Sequence, residues 1–385
     1  MRDTTDEITL VIEGDRVLTP DGLRPARVAV SGDRIMGFVD AVPAGARVIE
    51  AQGRLVLPGI VDIHGDAFER QVMPRPKTMI RSDIAFLDTD RQLIANGITT
   101  AFHGITVSWE PGLRSLEHAR VLVEALVALR PSLGCDTRLH IRWETFALEA
   151  VETVEAWLAL DPRPILAFND HTTGTIEKAP VARKIAQYAE RAGLSMADYE
   201  AMLEAQWARR DQVPAAVARL AAAARAVGAV LLAHDERTPA ERENFRTLGA
   251  ITSEFPMNRE TAQAARAAGE HTVMGAPNVL RGGSHNGMVN ATPAVADGLC
   301  TVLASDYYYP APLHAAFRLV RDGVLALPEA WALVSENAAA AAALADRGVL
   351  SAGRRADLVV VDATAEALPR VVSTIVAGRE VFSST

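Results

Sequence analysis

Five apolar, strand-like segments spread along the chain each end in histidine or carboxylate residues. The segments end at His64-Gly65-Asp66, Glu144, His171, His234 and Asp306. In a barrel of alternating strands and helices, the C-terminal ends of the strands meet at one face, and the active sites of such barrels lie there. The pattern therefore predicts that side chains far apart in sequence converge on one site.

Strand candidates alternate with helical segments throughout the middle of the chain. The candidates are 60–64, 99–103, 138–144, 165–171, 230–234, 251–255, 272–275 and 302–306, with helices such as 116–129 and 216–227 between them. Strands that alternate with helices indicate a parallel sheet. Eight such units predict an α/β fold, a closed (β/α)8 TIM-like barrel.

The two ends of the chain have a different pattern, with short strands and turns. Residues 28–35 have the pattern of a hairpin around a Gly-Asp turn, and residues 356–382 show the same pattern of short strands and turns. We expect residues 1–55 and 346–385 to pair into one small β-sandwich domain, and residues 56–345 to form the barrel. The stretch near 182–210 holds more helix than one crossover needs, which predicts a helical insertion.

Composition and charge limit the classes of partner. The chain has 385 residues, 49% of them hydrophobic, and a net charge of −9, which argues against nucleic-acid binding but is compatible with a small anionic substrate. No apolar run reaches the roughly 20 residues of a membrane span, and no secretory signal is recognisable. Cys135 and Cys300 form no metal-type or disulfide pattern. We expect a cytoplasmic protein that does not bind a membrane. For its oligomeric state, the working hypothesis is a homodimer.

The ligand types at the strand ends are those of a two-metal hydrolase. The expected metal ligands are His64, Asp66, Glu144, His171, His234 and Asp306. Glu144 is expected to bridge the two ions, and Asp306 to lie near the attacking water and accept its proton as the catalytic residue. Imidazole favours zinc, while the carboxylates also admit manganese or magnesium. We therefore expect a divalent metal cofactor, and two zinc ions are the preferred assignment.

Each of these residues, taken alone, also has a simpler explanation. Asp66 and Asp306 could cap a turn or a helix, and Glu144 could form a buried ion pair with the nearby Arg142. His140 reads as a core residue within its strand. Only the joint pattern of ligand types at the ends of five strands favours a metal site.

Two loops carry groups that suit an anionic substrate. The glycines of the loop after the seventh strand allow backbone N–H groups to converge on an anion, and arginine forks suit phosphate. A second loop, residues 74–77, is short, rigid and basic. The expected substrate-binding residues are Arg281, Gly282, Gly283, Ser284, His285, Arg75 and Lys77. A plain glycine-rich turn and a solvated surface loop are the alternatives.

Several segments resemble a known family. Residues 56–64, which open the barrel, and 353–360, which close it, are similar to the amidohydrolase superfamily. More narrowly, segments 64–66, 74–77, 96–100, 253–256, 274–285 and 305–308 resemble the diphosphatases that hydrolyse α-D-ribose 1-methylphosphonate 5-triphosphate. The resemblance covers nearly the whole chain, and segment 274–285 is its most specific part.

This resemblance implies a metal-dependent hydrolase of acid anhydrides in phosphonate catabolism, the carbon–phosphorus lyase pathway. Water would attack the α-phosphorus of the small polyanionic ribosyl triphosphate, releasing pyrophosphate and leaving ribose 1-methylphosphonate 5-phosphate. The alternative is an amidohydrolase that acts on a C–N bond, such as a deaminase, deacylase or cyclic amidase. A scaffold without activity is disfavoured because all the expected ligand types are present.

Two features depart from the common pattern of the superfamily. Its first strand usually ends in His-x-His, whereas this chain has His64-Gly65-Asp66, which exchanges one imidazole for a hard oxygen ligand. In addition, the superfamily's histidines usually follow strands five and six. Our strand count places His171 and His234 after strands four and five.

Overall fold

The computed structural model describes residues 7–178, 185–283, 289–364 and 368–384. The strands within these ranges are β1 (Leu10–Thr19), β2 (Gly22–Ser31), β3 (Arg34–Phe38), β4 (Arg47–Glu50), β5 (Leu55–Pro58), β6 (Ile60–Gly65), β7 (Ile98–Val107), β8 (Asp136–Glu144), β9 (Ile165–Asn169), β10 (Val230–His234), β11 (Thr252–Glu254), β12 (His271–Gly275), β13 (Val302–Ala304), β14 (Leu358–Asp362), β15 (Arg370–Val376) and β16 (Arg379–Ser383).

The helices connect these strands and cover the central ones. They are α1 (Glu69–Val72), α2 (Ser82–Ala95), α3 (Leu116–Leu129), α4 (Val151–Trp157), α5 (His171–Ile176), α6 (Ile185–Ala192), α7 (Met196–Trp207), α8 (Val213–Val227), α9 (Pro239–Thr247), α10 (Arg259–Ala267), α11 (Ala276–Arg281), α12 (Ala291–Ala296), α13 (Ala311–Arg321), α14 (Leu327–Ala332) and α15 (Glu336–Ala341). Among the described residues, none of these helices is long and apolar enough to cross a membrane.

The central strands β6 to β13 form one parallel sheet whose spatial order follows the sequence. Two backbone hydrogen bonds join its first and last strands. The N–H of Asp306 donates to the carbonyl of His64, and the N–H of Asp66 donates to the carbonyl of Asp306, both at 2.9 Å. The predicted (β/α)8 barrel is therefore confirmed, and His171 and His234 do follow its fourth and fifth strands.

The barrel strands are buried on both faces, as expected of a parallel sheet covered by helices. All ten residues of β7 are buried. In β8, Leu139, Ile141 and Trp143 belong to the hydrophobic core shared with the outer helices. Since side chains alternate along a strand, His140 and Arg142 lie on the opposite face of β8, toward the barrel interior.

The remaining strands form a separate mixed sheet built from both ends of the chain. Its order is β16-β15-β14-β5-β1-β2-β3, with β4 beside β1. The two ends meet where β5 pairs antiparallel with β14, which places Leu57 opposite Val359. The predicted small domain from both termini is confirmed in its architecture, and its exact boundaries stay a prediction.

Helices α6 and α7 lie between β9 and β10, where the sequence predicts a helical insertion. Their buried residues Ile185, Ala189, Tyr199 and Leu203 form a small hydrophobic core that also contacts Trp109. The insertion therefore packs on the loop that follows β7. Positions 182–184 of the predicted range lie outside the described residues, and its bounds stay a prediction.

An arginine at the floor of the barrel joins the two sheets. Arg347 is 4% exposed. Its Nη1 donates to the carboxylate of Asp136 at 2.6 Å and to Thr100 Oγ1 at 2.7 Å, and it lies 3.8 Å from Asp357. Asp136 begins β8 and Asp357 precedes β14, so one guanidinium group neutralises carboxylates from both sheets. The N-terminal face of a barrel generally serves stability rather than catalysis.

Replacing Arg347 with alanine is expected to lower the free energy of unfolding by about 3 kcal/mol, because it removes one of the counterions of Asp136 and Asp357 from a buried site. Arg355, which lies 3.0 Å from Asp357, keeps the loss at the lower end of the range for broken buried pairs. Urea unfolding followed by circular dichroism measures the change. Arg370→Ala is the control, since Arg370 forms an exposed pair with Asp362 and should change stability by less than about 1 kcal/mol. Equal losses for the two variants would contradict the assignment.

Candidate metal centre

The end of β6 is shaped by a glycine between two of the predicted ligands. A Cβ atom at Gly65 would lie 2.8 Å from Asp62 Oδ2 and from Ser305 Oγ, too close for any side chain. Asp62 accepts hydrogen bonds from the backbone and hydroxyl of Ser305 at 2.9 and 2.5 Å. The glycine thus lets the first and last strands approach closely, and this brings His64 and Asp66 next to Asp306.

Three described residues that lie one or two positions after barrel strands have left-handed backbone conformations. Asp235, Phe255 and Asp306 have φ values of 58°, 56° and 55°. This conformation costs a non-glycine residue on the order of 1–3 kcal/mol and clusters at functional sites. Each residue is held by a 2.9 Å backbone hydrogen bond to a neighbouring strand. The backbone therefore turns sharply at the mouth of the barrel, where these side chains line one cavity.

One buried carboxylate lies between two of the predicted histidine ligands. Glu254 Oε2 accepts a 2.7 Å hydrogen bond from His234 Nδ1, and Glu254 Oε1 lies 3.0 Å from His64 Nδ1. The two imidazole rings are stacked with their centres 5.2 Å apart, and the ring of Phe255 packs edge-on against both. A carboxylate that accepts from Nδ1 leaves Nε2 of His234 free to bind a metal.

His140 adds a second nitrogen ligand deep in the barrel. Its Nδ1 donates to the carbonyl oxygen of Ile63 at 2.9 Å, which leaves Nε2 unprotonated. Burial lowers the pKa of His140 to about 4, so the ring is neutral at pH 7. Nε2 lies 3.7 Å from Glu254 Oε2 and has no hydrogen-bond partner among the described residues. A buried, lone-pair-bearing nitrogen of this kind is a typical metal ligand.

His64, His140 and Glu254 form a first cluster of candidate ligands, and a second cluster consists of His171, His234 and Asp235. Asp235 Oδ2 lies 3.1 Å from His171 Nε2 and 3.4 Å from His234 Nε2. Burial alone would raise the pKa of Asp235, but its electrostatic interaction with His234 and the hydrogen bond from His171 outweigh burial and hold the pKa well below its usual value. The carboxylate is therefore ionised and faces two imidazole nitrogens.

A third cluster joins His64, Asp66 and Asp306. Burial and the negative charge of Asp66 raise the pKa of Asp306 to about 7. Asp66 itself lies 3.5 Å from Arg142 and 3.9 Å from Arg114, and its pKa is lowered because the charges of His64 and these arginines outweigh burial. Two carboxylates and one imidazole thus face one another in a partly enclosed site.

The spacing of these groups fits a divalent metal. Four ligands at about 2.1 Å from a tetrahedral ion are separated by about 3.4 Å from one another. The separations of 3.1 and 3.4 Å between Asp235 Oδ2 and the Nε2 atoms of His171 and His234 lie close to this value. His64 Nδ1 and Glu254 Oε1, like His140 Nε2, are buried without a hydrogen bond of good geometry among the described residues. Unpaired buried polar atoms are costly, and a bound cation would pair them.

Glu144 lies beside these clusters without belonging to one. Its carboxylate accepts hydrogen bonds from Asn169 Nδ2 at 2.8 Å, from the backbone N–H of His171 at 3.1 Å, and from both N–H and hydroxyl of Thr172 at 3.2 and 2.8 Å. Burial and the charge of Asp170 raise the pKa of Glu144 to about 8. In this arrangement Glu144 anchors the first turn of α5, and its predicted bridging role stays a prediction.

Among the described residues, four arginines line the cavity of about 440 Å³ that also contains the second and third ligand clusters: Arg70, Arg114, Arg142 and Arg191. Arg114 is held by a two-pronged contact with Glu69, at 3.0 and 2.8 Å. Arg142 is only 6% exposed, and its Nε has no hydrogen-bond partner among the described residues. Four carboxylates, Asp66, Glu69, Asp235 and Asp306, balance this charge. Bound cations would make the lining strongly positive, which suits a polyanion.

Five of the seven predicted substrate residues are described by the structure and do not line this cavity. Arg281 is the exposed last residue of α11, Gly282 and Gly283 follow it, and Arg75 and Lys77 are exposed. None of these five is among the described residues that line the cavity. Ser284 and His285 lie outside the described residues. A substrate role for this set stays a prediction.

The sequence analysis missed His140, Asp235 and Glu254 as candidate ligands. Glu254 ends the sixth barrel strand, so the strand-end rule applied to the other ligands also applies to it. His140 shares a strand face with Arg142 and Glu144, as alternation along β8 indicates. Asp235 directly follows His234, the last residue of its strand, and the sequence analysis assigned it no role. Their proximity to the predicted ligands appears only in three dimensions.

An eight-stranded barrel with histidine and carboxylate clusters at its C-terminal mouth defines a hydrolase of the amidohydrolase type. No protein-family model matches the chain. The chain is 30% identical over 362 residues to the α-D-ribose 1-methylphosphonate 5-triphosphate diphosphatase of Escherichia coli strain K12, which covers 91% of this chain and 94% of that enzyme. The chain therefore belongs to this diphosphatase family, within the amidohydrolase superfamily.

The chain is also similar to another enzyme and to a solved structure. An adenine deaminase from Methylobacterium nodulans is 27% identical over 369 residues, which cover 92% of this chain but 55% of the deaminase. The crystal structure of dihydropyrimidinase from Brevibacillus agri superimposes with a TM-score of 0.63 at 14% identity, covering 97% of this chain and 95% of that one. The likeness to dihydropyrimidinase supports the fold alone.

Proposed function

We propose that this protein hydrolyses α-D-ribose 1-methylphosphonate 5-triphosphate to pyrophosphate and ribose 1-methylphosphonate 5-phosphate. The observation that carries the proposal is the nearly full-length match, at 30% identity, to the E. coli enzyme named for this substrate. The four arginines beside the candidate metal ligands agree with it, because arginine forks pair well with phosphate oxygens.

The candidate clusters suit two divalent ions of different character. The group of His171, His234 and Asp235 offers two nitrogens and one oxygen, which favours zinc. The group of His64, Asp66 and Asp306 offers one nitrogen and two hard oxygens, which also admits manganese or magnesium. When bound, such ions polarise phosphoryl oxygens and make water a nucleophile near neutral pH.

The chain's own residues would orient the triphosphate and move the proton. Arg114 and Arg142 lie beside Asp66, and their charge would hold phosphate oxygens next to the metal ligands. Asp306, which lines the cavity, would accept the proton that the attacking water loses, as a general base. A cytoplasmic location and a homodimer stay predictions.

Phosphorus NMR tests the proposed reaction. The protein loaded with zinc or manganese is incubated with α-D-ribose 1-methylphosphonate 5-triphosphate, and the expected products are pyrophosphate and the 5-phosphate in equal amounts. Release of orthophosphate would mean that a different bond is cleaved. Adenine, incubated with the same preparation, tests the C–N alternative that the similarity to adenine deaminase suggests. Deamination without triphosphate cleavage would contradict the proposal.

A further inference from the structure

The helical insertion contributes one arginine to the cavity at the barrel mouth. Arg191, on α6, lines both this cavity and a smaller one between the insertion and the barrel. Its side chain is 26% exposed, so the guanidinium group is partly covered and still reaches the open space. It is the one residue of α6 and α7 that lines the larger cavity in the described part of the chain.

A buried carboxylate and two tyrosines fix the position of this guanidinium group. Glu110, which is 7% exposed, accepts a hydrogen bond from Arg191 Nη2 and a 2.6 Å hydrogen bond from the hydroxyl of Tyr199. The ring of Tyr188 lies 5.2 Å from the guanidinium carbon. The buried Nε of Arg191 has no hydrogen-bond partner among the described residues. An arginine held in this way loses little entropy when it binds an anion.

The same group of residues is connected to the candidate metal centre. The rings of Trp109 and Tyr199 are 5.6 Å apart, and Trp109 Nε1 donates to Thr172 Oγ1 at 2.9 Å. Thr172 Oγ1 in turn donates to Glu144 at 2.8 Å, in the turn that carries His171. The insertion is therefore positioned directly against the element that presents one of the candidate ligands.

We propose that Arg191 binds the diphosphate portion of the substrate that leaves as pyrophosphate, and that the insertion thereby selects a triphosphate. This inference rests on the proposed function. Arg114 and Arg142 lie next to Asp66, in one of the ligand clusters, whereas the partner of Arg191, Glu110, belongs to none of them. Arg191 is thus available to phosphate oxygens that do not contact the metals. Glu110 and Tyr199 are positioning residues that act through it.

Substitution of Arg191 tests this inference by separating binding from chemistry. Arg191→Ala is expected to raise the KM for the triphosphate and the inhibition constant of inorganic pyrophosphate by about 10–100-fold, with kcat changed less than about threefold. Arg191→Lys should recover only part of the loss, because an ammonium group cannot form a two-pronged contact. Tyr199→Phe removes the hydroxyl that holds Glu110 and should shift the same two constants by a few-fold in the same direction.

Arg209→Ala is the matched control. Arg209 follows α7 on the same insertion, pairs with Glu149 at the surface and does not line the cavity. It should keep the parent's KM, kcat and inhibition constant. Circular dichroism and metal content of every variant, compared with the parent, establish that the fold and the metal centre are retained.

The outcomes distinguish the inference from the proposed function. If the parent releases pyrophosphate and Arg191→Ala has the parent's KM and pyrophosphate inhibition, the inference is wrong and the proposed function stands. If the parent releases no pyrophosphate, the proposed function is wrong. Calorimetric titration of the metal-loaded proteins with inorganic tripolyphosphate then tests whether Arg191 binds a polyphosphate. Equal affinity of parent and Arg191→Ala in that titration would overturn the assignment of an anion-binding role.

Discussion

Replacing Asp306 with asparagine is expected to lower kcat by about 10²–10⁴-fold, the usual contribution of a general base. Asparagine is close in shape to aspartate and tolerates the left-handed conformation that Asp306 adopts, with φ of 55°. The side chain packs closely over Gly275, where a Cβ would lie 2.9 Å from Asp306 Oδ2. An amide of the same size fits this space, so the loss would report on chemistry rather than on folding. Steady-state kinetics at saturating metal measure it.

The same variant has a second expected effect, on the protons released when metal binds. In the metal-free protein the pKa of Asp306 is raised to about 7, so at pH 6 the carboxyl group is mostly protonated. A cation needs the ionised carboxylate, so metal affinity should rise as the pH increases from about 5 to 7. His140 and His234, with pKa values lowered to about 4, are already neutral and release no proton.

Calorimetric titration with metal in two buffers of different ionisation enthalpy counts these protons. At pH 6, Asp306→Asn should release about one proton fewer than the parent. Unchanged proton release together with a kcat within a factor of three of the parent would show that Asp306 neither binds the cation nor acts as the base.

Replacing Glu254 with glutamine is expected to weaken metal binding and activity by about 10–100-fold. One carboxylate here faces Nδ1 of both His64 and His234, at 3.0 and 2.7 Å. Glutamine can accept through only one oxygen and presents an NH₂ group to the second histidine. The imidazole that faces the NH₂ group then loses the carboxylate oxygen that holds its orientation. Metal content by mass spectrometry and titration of the chelator-treated protein measure the loss.

Glu236→Gln is the matched control for this prediction. Glu236 is 2% exposed, accepts a 2.5 Å hydrogen bond from Ser253 and pairs with the buried Arg242 at 2.9 Å. It is a buried glutamate near the same strands and belongs to none of the ligand clusters. The Glu236→Gln variant should be less thermally stable than the parent and should bind metal with the parent's affinity. Equal loss of metal in both variants would mean that general loosening of the barrel, rather than the pairing of two histidines, explains the effect.

The barrel and the convergence of distant residues could be predicted from the sequence. Parallel strands in sequential order place their C-terminal ends at one face whatever lies between them. His64, Asp66 and Asp306 meet in one cluster for this reason, and His171 and His234 meet in another. The roles of these residues as ligands stay predictions that the variants above test.

The partners of these residues could not be predicted, because distances across a barrel depend on strand tilt and stagger. Glu254 ends a strand of only three residues, and nothing in its local pattern indicates that it faces both His64 and His234. The sequence analysis assigned the anion-binding role to Arg281 and the loop after it. The described arginines that line the cavity include Arg142, near the C-terminal end of β8, and Arg191, from the insertion, while the role of Arg281 and its loop stays a prediction.

The most direct test of the metal centre is a crystal structure of the protein loaded with zinc or manganese, with anomalous diffraction recorded at the absorption edge of the metal. We expect anomalous peaks within about 2.3 Å of ligand atoms from His171, His234 and Asp235, and from His64, Asp66 and Asp306. A fully loaded crystal without a peak at the barrel mouth, or with peaks only at the protein surface, would contradict the account.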